Sequence, residues 1–204
     1  MDKNNKFFSV LSMLIVLLSG CYPQGPENSE DLDVVLTSFQ DEYDFRGKGT
    51  YAMPDRIVKI TGDVIEGQDP QFIPDVTAAL ILGQIDQNMS NLGWQKVDVS
   101  ANPDLLLTPA SWETTTIVYY YDYWYWWYGG YYPPYGYYPT YASVYSTGTL
   151  LMRLIDPDVV GSNGNAVTQW AGAINGILTW SYDEGRINKA IDQAFAQSPY
   201  LETN

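Results

Sequence analysis

Asp41, Glu42 and Asp44 stand close enough along the chain to suggest the carboxylate pair that divides the work of glycoside hydrolysis. That chemistry needs a separation of about 5 Å or about 9 Å, which sequence spacing does not fix. Three acids in the turn-rich stretch 41–48 describe a solvated turn equally well. Asp156 and Asp158, with Ser162, Asn163 and Asn165, offer the oxygen ligands that calcium prefers. They lack the twelve-residue spacing and closing glutamate of an EF-hand loop, and Pro157, Gly161 and Gly164 make a plain hairpin turn the simpler reading. The chain has no histidine, which removes serine triads, Cys–His dyads and imidazole metal sites. Its single cysteine, Cys21, leaves no internal disulfide and no four-cysteine zinc site. No lysine is marked as the partner of a nucleophilic serine, and neither standard phosphate-binding glycine motif occurs. The expectation is a protein without catalytic activity, metal or cofactor.

Cys21 carries chemistry of another kind. Lys3 and Lys6 precede a twelve-residue apolar run, Phe7 to Leu18. The run is too short for a ~30 Å hydrocarbon layer, which takes roughly 20 residues, but suits the apolar region of a secretory signal. It ends in Leu18-Ser19-Gly20-Cys21, which resembles the bacterial lipoprotein signal. The resemblance implies removal of residues 1–20 and lipid on the thiol and new amino terminus of Cys21. An ordinary signal peptide with an incidental cysteine is the alternative. Several acyl chains anchor stably where one is marginal, so the membrane becomes the first partner. Residues 21–33 include Pro23, Gly25, Pro26 and four acids with little to bury, and are expected to form a flexible linker. Tyr22 stands where lipoprotein sorting places aspartate for inner-membrane retention. That resemblance favours the outer membrane, on its periplasmic face or at the cell surface.

The segment 119–141 holds twelve tyrosines and three tryptophans in 23 residues. At ~150–250 Å² per ring the set offers on the order of 2,000–3,500 Å² for burial, whereas exposed apolar patches on monomers rarely exceed a few hundred. Self-packing in a low-complexity hairpin excursion, turning at Gly129-Gly130, is one reading. The other is a binding surface formed by Tyr121, Tyr123, Trp124, Tyr125, Trp126, Trp127, Tyr128, Tyr131, Tyr132, Tyr135, Tyr137 and Tyr138. Its partner would be an envelope protein, or a glycan stacked on the rings as on a platform. Nucleic acid is excluded as a partner, because a net charge of −14 offers phosphate no basic face.

The elements that position these residues follow from periodicity. Val34 to Gln40 alternates as a strand, and 49–53 and 56–60 read as two more. Ala78, Ile81, Leu82, Ile85, Met89 and Leu92 recur on one helical stripe. Asp75 is expected to cap this helix, and Gly93 to end it in a Schellman turn with Trp94 against Met89. Strands are expected over 95–99, 105–107, 114–121 and 145–155, with a turn at 156–165 and a return strand at 167–180 weakened or bulged by Gly172 and Gly176. Ser181 and Glu184 suggest a capping box for a last helix, whose Ile187, Ala190, Ile191, Ala194 and Phe195 share one face. Leu82, Ile85, Met89, Ile191 and Phe195 are expected in the core. The fold class is α+β, a mostly antiparallel sheet with two amphipathic helices on one face. A single domain over 34–200 would then carry the aromatic excursion.

Asp44-Phe45 followed by Gly49-Thr50-Tyr51-Ala52, then Leu92-Gly93-Trp94 leading to Pro103-Asp104-Leu105-Leu106, resembles the domain of unknown function 4136 family of bacterial lipoproteins. Gly148-Thr149-Leu150, Leu154-Ile155-Asp156, Trp170 and the run from Ile187 to Pro199 continue the likeness, which covers roughly residues 33–200. Trp170-Ala171-Gly172 departs from the family's usual Trp-basic-Gly pattern. The resemblance implies an α+β envelope lipoprotein and supplies no catalytic residues. The expected role is a lipid-anchored structural or interaction module of the cell envelope, with a glycan- or small-ligand-binding lipoprotein as the alternative.

Overall fold

The structure is a computed structural model that describes residues 34–61, 70–113, 148–161, 166–179 and 182–203. The described elements run β1 (Val35–Phe39), β2 (Thr50–Ala52), β3 (Val58–Ile60), α1 (Asp75–Asn91), β4 (Gln95–Lys96), β5 (Leu105–Leu107), β6 (Ala110–Trp112), β7 (Thr149–Val160), β8 (Ala166–Ile174) and α2 (Glu184–Ala196). They make an α+β fold of two helices and one mixed sheet, with the strand path β1-β8-β7-β5-β2-β4. A branch leaves β7 through β6 to β3. Period-two alternation decides which side chains face the helices. Leu150, Met152 and Leu154 of β7 pack with Ile81, Ile85 and Met89 of α1 and Ile187, Ile191 and Phe195 of α2. Leu151, one position out of step, joins Ala173, Ala110, Trp112, Val58 and Ile60 in a smaller second cluster. All five residues expected in the core, Leu82 among them, are buried there.

The sheet departs from the mostly antiparallel arrangement expected. The pairings β1–β8, β7–β8, β5–β7 and β6–β7 are antiparallel. The pairings β2–β4, β2–β5 and β3–β6 are parallel. The cause is α1, which lies between β3 and β4 and returns the chain in its original direction, as crossover helices do. Reading neighbouring strands as hairpins missed this.

Local boundaries also moved. Asp75 is the first residue of α1 rather than its cap, which is Pro74 without a side-chain bond. The cap of α2 is Asp183, whose carboxylate accepts from the Arg186 N–H at 2.8 Å, so the expected Ser181 box does not start this helix. The strand expected over 95–99 stops at Lys96, and a 3₁₀ turn follows at Val99–Ala101. β7 runs on through Asp156 and Pro157 to Val160, where a turn was expected. Its pairing with β8 is irregular between Ile155 and Val160, so Pro157 removes no ladder bond. Gly93 does close α1. Its φ is 92°, the Gly93 N–H reaches Ser90 O at 3.0 Å, and the Trp94 N–H reaches Met89 O at 3.0 Å. Gly172 keeps register with Met152 and Thr37 instead of bulging. A Cβ there would come within 2.8 Å of the Trp170 ring, so the glycine makes room for the largest buried side chain.

Candidate functional site

Cys21 and the twelve aromatic residues from Tyr121 to Tyr138 lie outside the described residues. So do the Ser181 of the expected box and the Ser162, Asn163 and Asn165 of the calcium reading. The acids of the other two readings are in view. Asp41, Glu42 and Asp44 are exposed. Asp44 accepts from the backbone N–H of Arg46 at 3.0 Å and from its guanidinium Nε at 3.3 Å, which is turn chemistry. Asp156 is different, for its side chain is only 2% exposed. Its Oδ2 accepts from the Tyr43 hydroxyl at 2.6 Å and pairs with the Lys48 ammonium at 3.0 Å. Its Oδ1 accepts from the Asp158 N–H at 2.9 Å. An ammonium therefore stands against the oxygen that a calcium ion would need. Among the described residues no three acidic, histidine or cysteine side chains group as metal ligands.

Lys48 and Tyr43 belong to the loop 40–49, which carries the chain from β1 to β2. A second carboxylate fixes the loop's far end. Asp104, just before β5, accepts from the N–H of Gly49 at 3.0 Å, the N–H of Thr50 at 2.9 Å and the Thr50 hydroxyl at 2.7 Å. The Asp104 N–H in turn donates to Thr50 Oγ1 at 3.0 Å. Partial burial pushes the Asp104 carboxyl up, but these three donors and the Lys48 charge outweigh it, and the net shift is downward. Burial raises the Tyr43 phenol, helped by its bond to Asp156 and the nearby charges of Asp104 and Asp158. Tyr51, fully buried, is raised in the same way by burial and by its hydroxyl bond to Asp86, which Lys96 also approaches at 3.8 Å.

Folding thus favours the protonated phenols of Tyr43 and Tyr51 and the ionised carboxylate of Asp104. With the Lys48–Asp156 ion pair, these bonds form a clasp that closes the loop onto β5 and β7. Its linkage to pH has a definite sign. A phenol whose value is raised on folding adds stability below the unfolded-state value of ~10, and that stability is lost as pH rises above it. Thermal unfolding midpoints are expected to hold between pH 7 and 9 and to fall steeply beyond pH ~10. Tyr43→Phe and Tyr51→Phe should each flatten that alkaline limb.

Aromatic side chains adjoin the clasp. Phe39 stacks on Tyr200 with ring centroids 3.8 Å apart, Phe45 meets Tyr43 edge-on at 4.8 Å, and Tyr200 lies 6.3 Å from Phe45. Two tryptophans then hold the stretch after α2. The Trp170 indole N–H donates to Ser198 Oγ at 2.9 Å, and the Trp94 indole N–H donates to Leu201 O at 2.8 Å. Sequence spacing gave no sign of either cluster, because their members lie far apart along the chain.

The residues that make the clasp, and those of the tryptophan contacts apart from Leu201, fall within one recognised unit. The family model described as Domain of unknown function (DUF4136) matches residues 35–200. The chain belongs to the DUF4136 family. Its fold is similar to the crystal structure of a DUF4136 family protein from Bacteroides thetaiotaomicron, with a TM-score of 0.62 and 22% identity over 84% of this chain and 98% of that one. A PelC dodecamer from Paraburkholderia phytofirmans aligns with a TM-score of 0.41 and 13% identity over 84% and 99% of the two chains. No curated protein matches at a significant level. Of the residues that carried the expected resemblance, Thr149 opens β7 and Trp170 is fully buried in the core.

Proposed function

We propose that this DUF4136 protein is a lipid-anchored, non-catalytic module of the cell envelope that engages a partner through its Tyr/Trp-rich segment. The observation that carries this reading is Leu18-Ser19-Gly20-Cys21 at the end of a charged-then-apolar leader. Thirteen residues separate Cys21 from the start of β1, a tether of at most about 45 Å. No helix among the described residues is long and apolar enough to cross a membrane. Asp44 and Asp156 are both engaged in contacts that shape the loop 40–49, which suits a structural role for them. The outer membrane remains the favoured site on the strength of Tyr22.

The test is expression in a bacterial host with radiolabelled palmitate, followed by membrane fractionation. Wild type should be labelled and membrane-bound, and Cys21→Ser should be unlabelled and soluble or uncleaved. A cleaved Ser variant that stays in the membrane would overturn the anchor. In the anchored protein, the triple change Trp124→Ala, Trp126→Ala and Trp127→Ala should abolish cross-linking to envelope protein. Loss of binding to purified glycan instead would establish the stacking platform, and retention of both would remove the aromatic segment from the proposal.

A further inference from the structure

We propose that the outer edge of β1 accepts an extended, basic peptide segment of a partner protein as an added strand. β1 ends the strand path, and β8 is its only pairing partner among the described residues. The register fixes which backbone groups point away from β8. Asn175 donates to Val34 O at 3.0 Å and Gln40 donates to Gln169 O at 2.9 Å. In an antiparallel pair such bonding residues alternate, so Leu36 and Ser38 also bond to β8. Val35, Thr37 and Phe39 therefore turn their N–H and C=O groups outward, three donors and three acceptors in the pattern that strand addition uses.

Natural sheets blunt such edges with short strands, charge or proline. The opposite end of the path does this, for β4 has two residues and one is Lys96. β1 carries Val-Leu-Thr-Ser-Phe with neither charge nor proline. Val34 is 48% exposed, Leu36 38% and Phe39 40%, so apolar side chains accompany the outward backbone. Beyond the strand, Asp41, Glu42 and Asp44 are all exposed.

Charge selects the occupant. A second copy of the chain adds another −14. A peptide with alternating apolar residues and flanking lysines meets the same edge with opposite charge and gains on-rate from it. This inference does not depend on the lipid anchor or on the aromatic segment.

Fluorescence anisotropy with the full chain tests it. The probe is a labelled nonapeptide, Lys-Lys-Thr-Val-Thr-Val-Thr-Lys-Lys, compared with its glutamate-flanked counterpart. The basic peptide should bind at least tenfold more tightly, and weaken as salt rises. Thr37→Pro removes only an outward donor, so it should keep the pairing with β8 and lower affinity at least tenfold. If that variant does not fold, the basic peptide N-methylated at its three central alternate residues supplies the same block and should fail to bind wild type. Absence of binding by the basic peptide, or equal binding of the acidic or N-methylated one, would overturn the proposal. So would self-association of the chain that Thr37→Pro abolishes and the peptide does not compete, which would assign the edge to a second copy. Binding that appears only after residues 22–33 are removed would assign it to the chain's own linker.

Discussion

Trp170→Ala is expected to cost about 3–5 kcal/mol, the range for deleting a large buried aromatic. Trp170 is fully buried, lies 5.4 Å from Phe195 of α2 by ring centroids, and donates its indole N–H to Ser198. A domain of this size is stable by only ~5–15 kcal/mol, so denaturant midpoints should fall by roughly a fifth or more. Trp170→Phe should cost less, because it keeps much of the ring packing and loses mainly the bond to Ser198. The close approach of Gly172 supplies a second readout. Gly172→Ala forces a Cβ to within 2.8 Å of the indole and should destabilise wild type, yet be tolerated in the Trp170→Ala background. Additive losses in that cycle would show that the ring does not account for the glycine.

The clasp gives the second large effect. Asp156→Ala leaves the Lys48 ammonium, 29% exposed, and the Tyr43 hydroxyl without their acceptor. Removing one member of a fully buried ion pair costs about 3–5 kcal/mol. Lys48 keeps partial access to water, so a loss of about 2–3 kcal/mol is expected here. Asp156→Asn keeps an acceptor for the phenol and should fall between wild type and alanine. A double-mutant cycle with Lys48→Met should recover part of the loss, since it removes the stranded charge. If urea unfolding of Asp156→Ala matches wild type, the loop 40–49 is held by Asp104 and the aromatic stack alone.

Elements carried by local chemistry were legible in the sequence. The stripe from Ala78 to Leu92, the Gly93-Trp94 ending, and the face shared by Leu150, Met152 and Leu154 all follow from periodicity and backbone sterics, which act over a few residues. What escaped were decisions made by distant parts of the chain. The parallel pairing of β2 with β5 depends on where α1 lands, and β7 runs past Asp156 and Pro157 to rejoin β8 at Val160, with Asp156 held by Tyr43 and Lys48. Gly172 looked like a flaw in a strand because the indole it accommodates is visible only in three dimensions. The clasp was half legible. Asp156 stood out as an oxygen ligand, but its partners Tyr43 and Lys48 lie more than a hundred residues earlier, and nothing in their spacing names them. The family resemblance, carried by short motifs from Asp44 to Pro199, supplied the correct unit.

The pairing of β1 with β8 sets the order in which the protein can be made. The hairpin of β7 and β8 needs only neighbouring residues and can form early. β1 is synthesised more than a hundred residues before its partner and must wait, as must Trp94 for Leu201. Contacts of such separation are formed slowly, because the intervening chain loses its freedom before they reward it. The core therefore cannot close while the polypeptide is still being extended through residues 170–201. Until then the early segments remain open to chaperones, and a nascent chain stalled before β8 would be a substrate for proteolysis rather than a partly working protein.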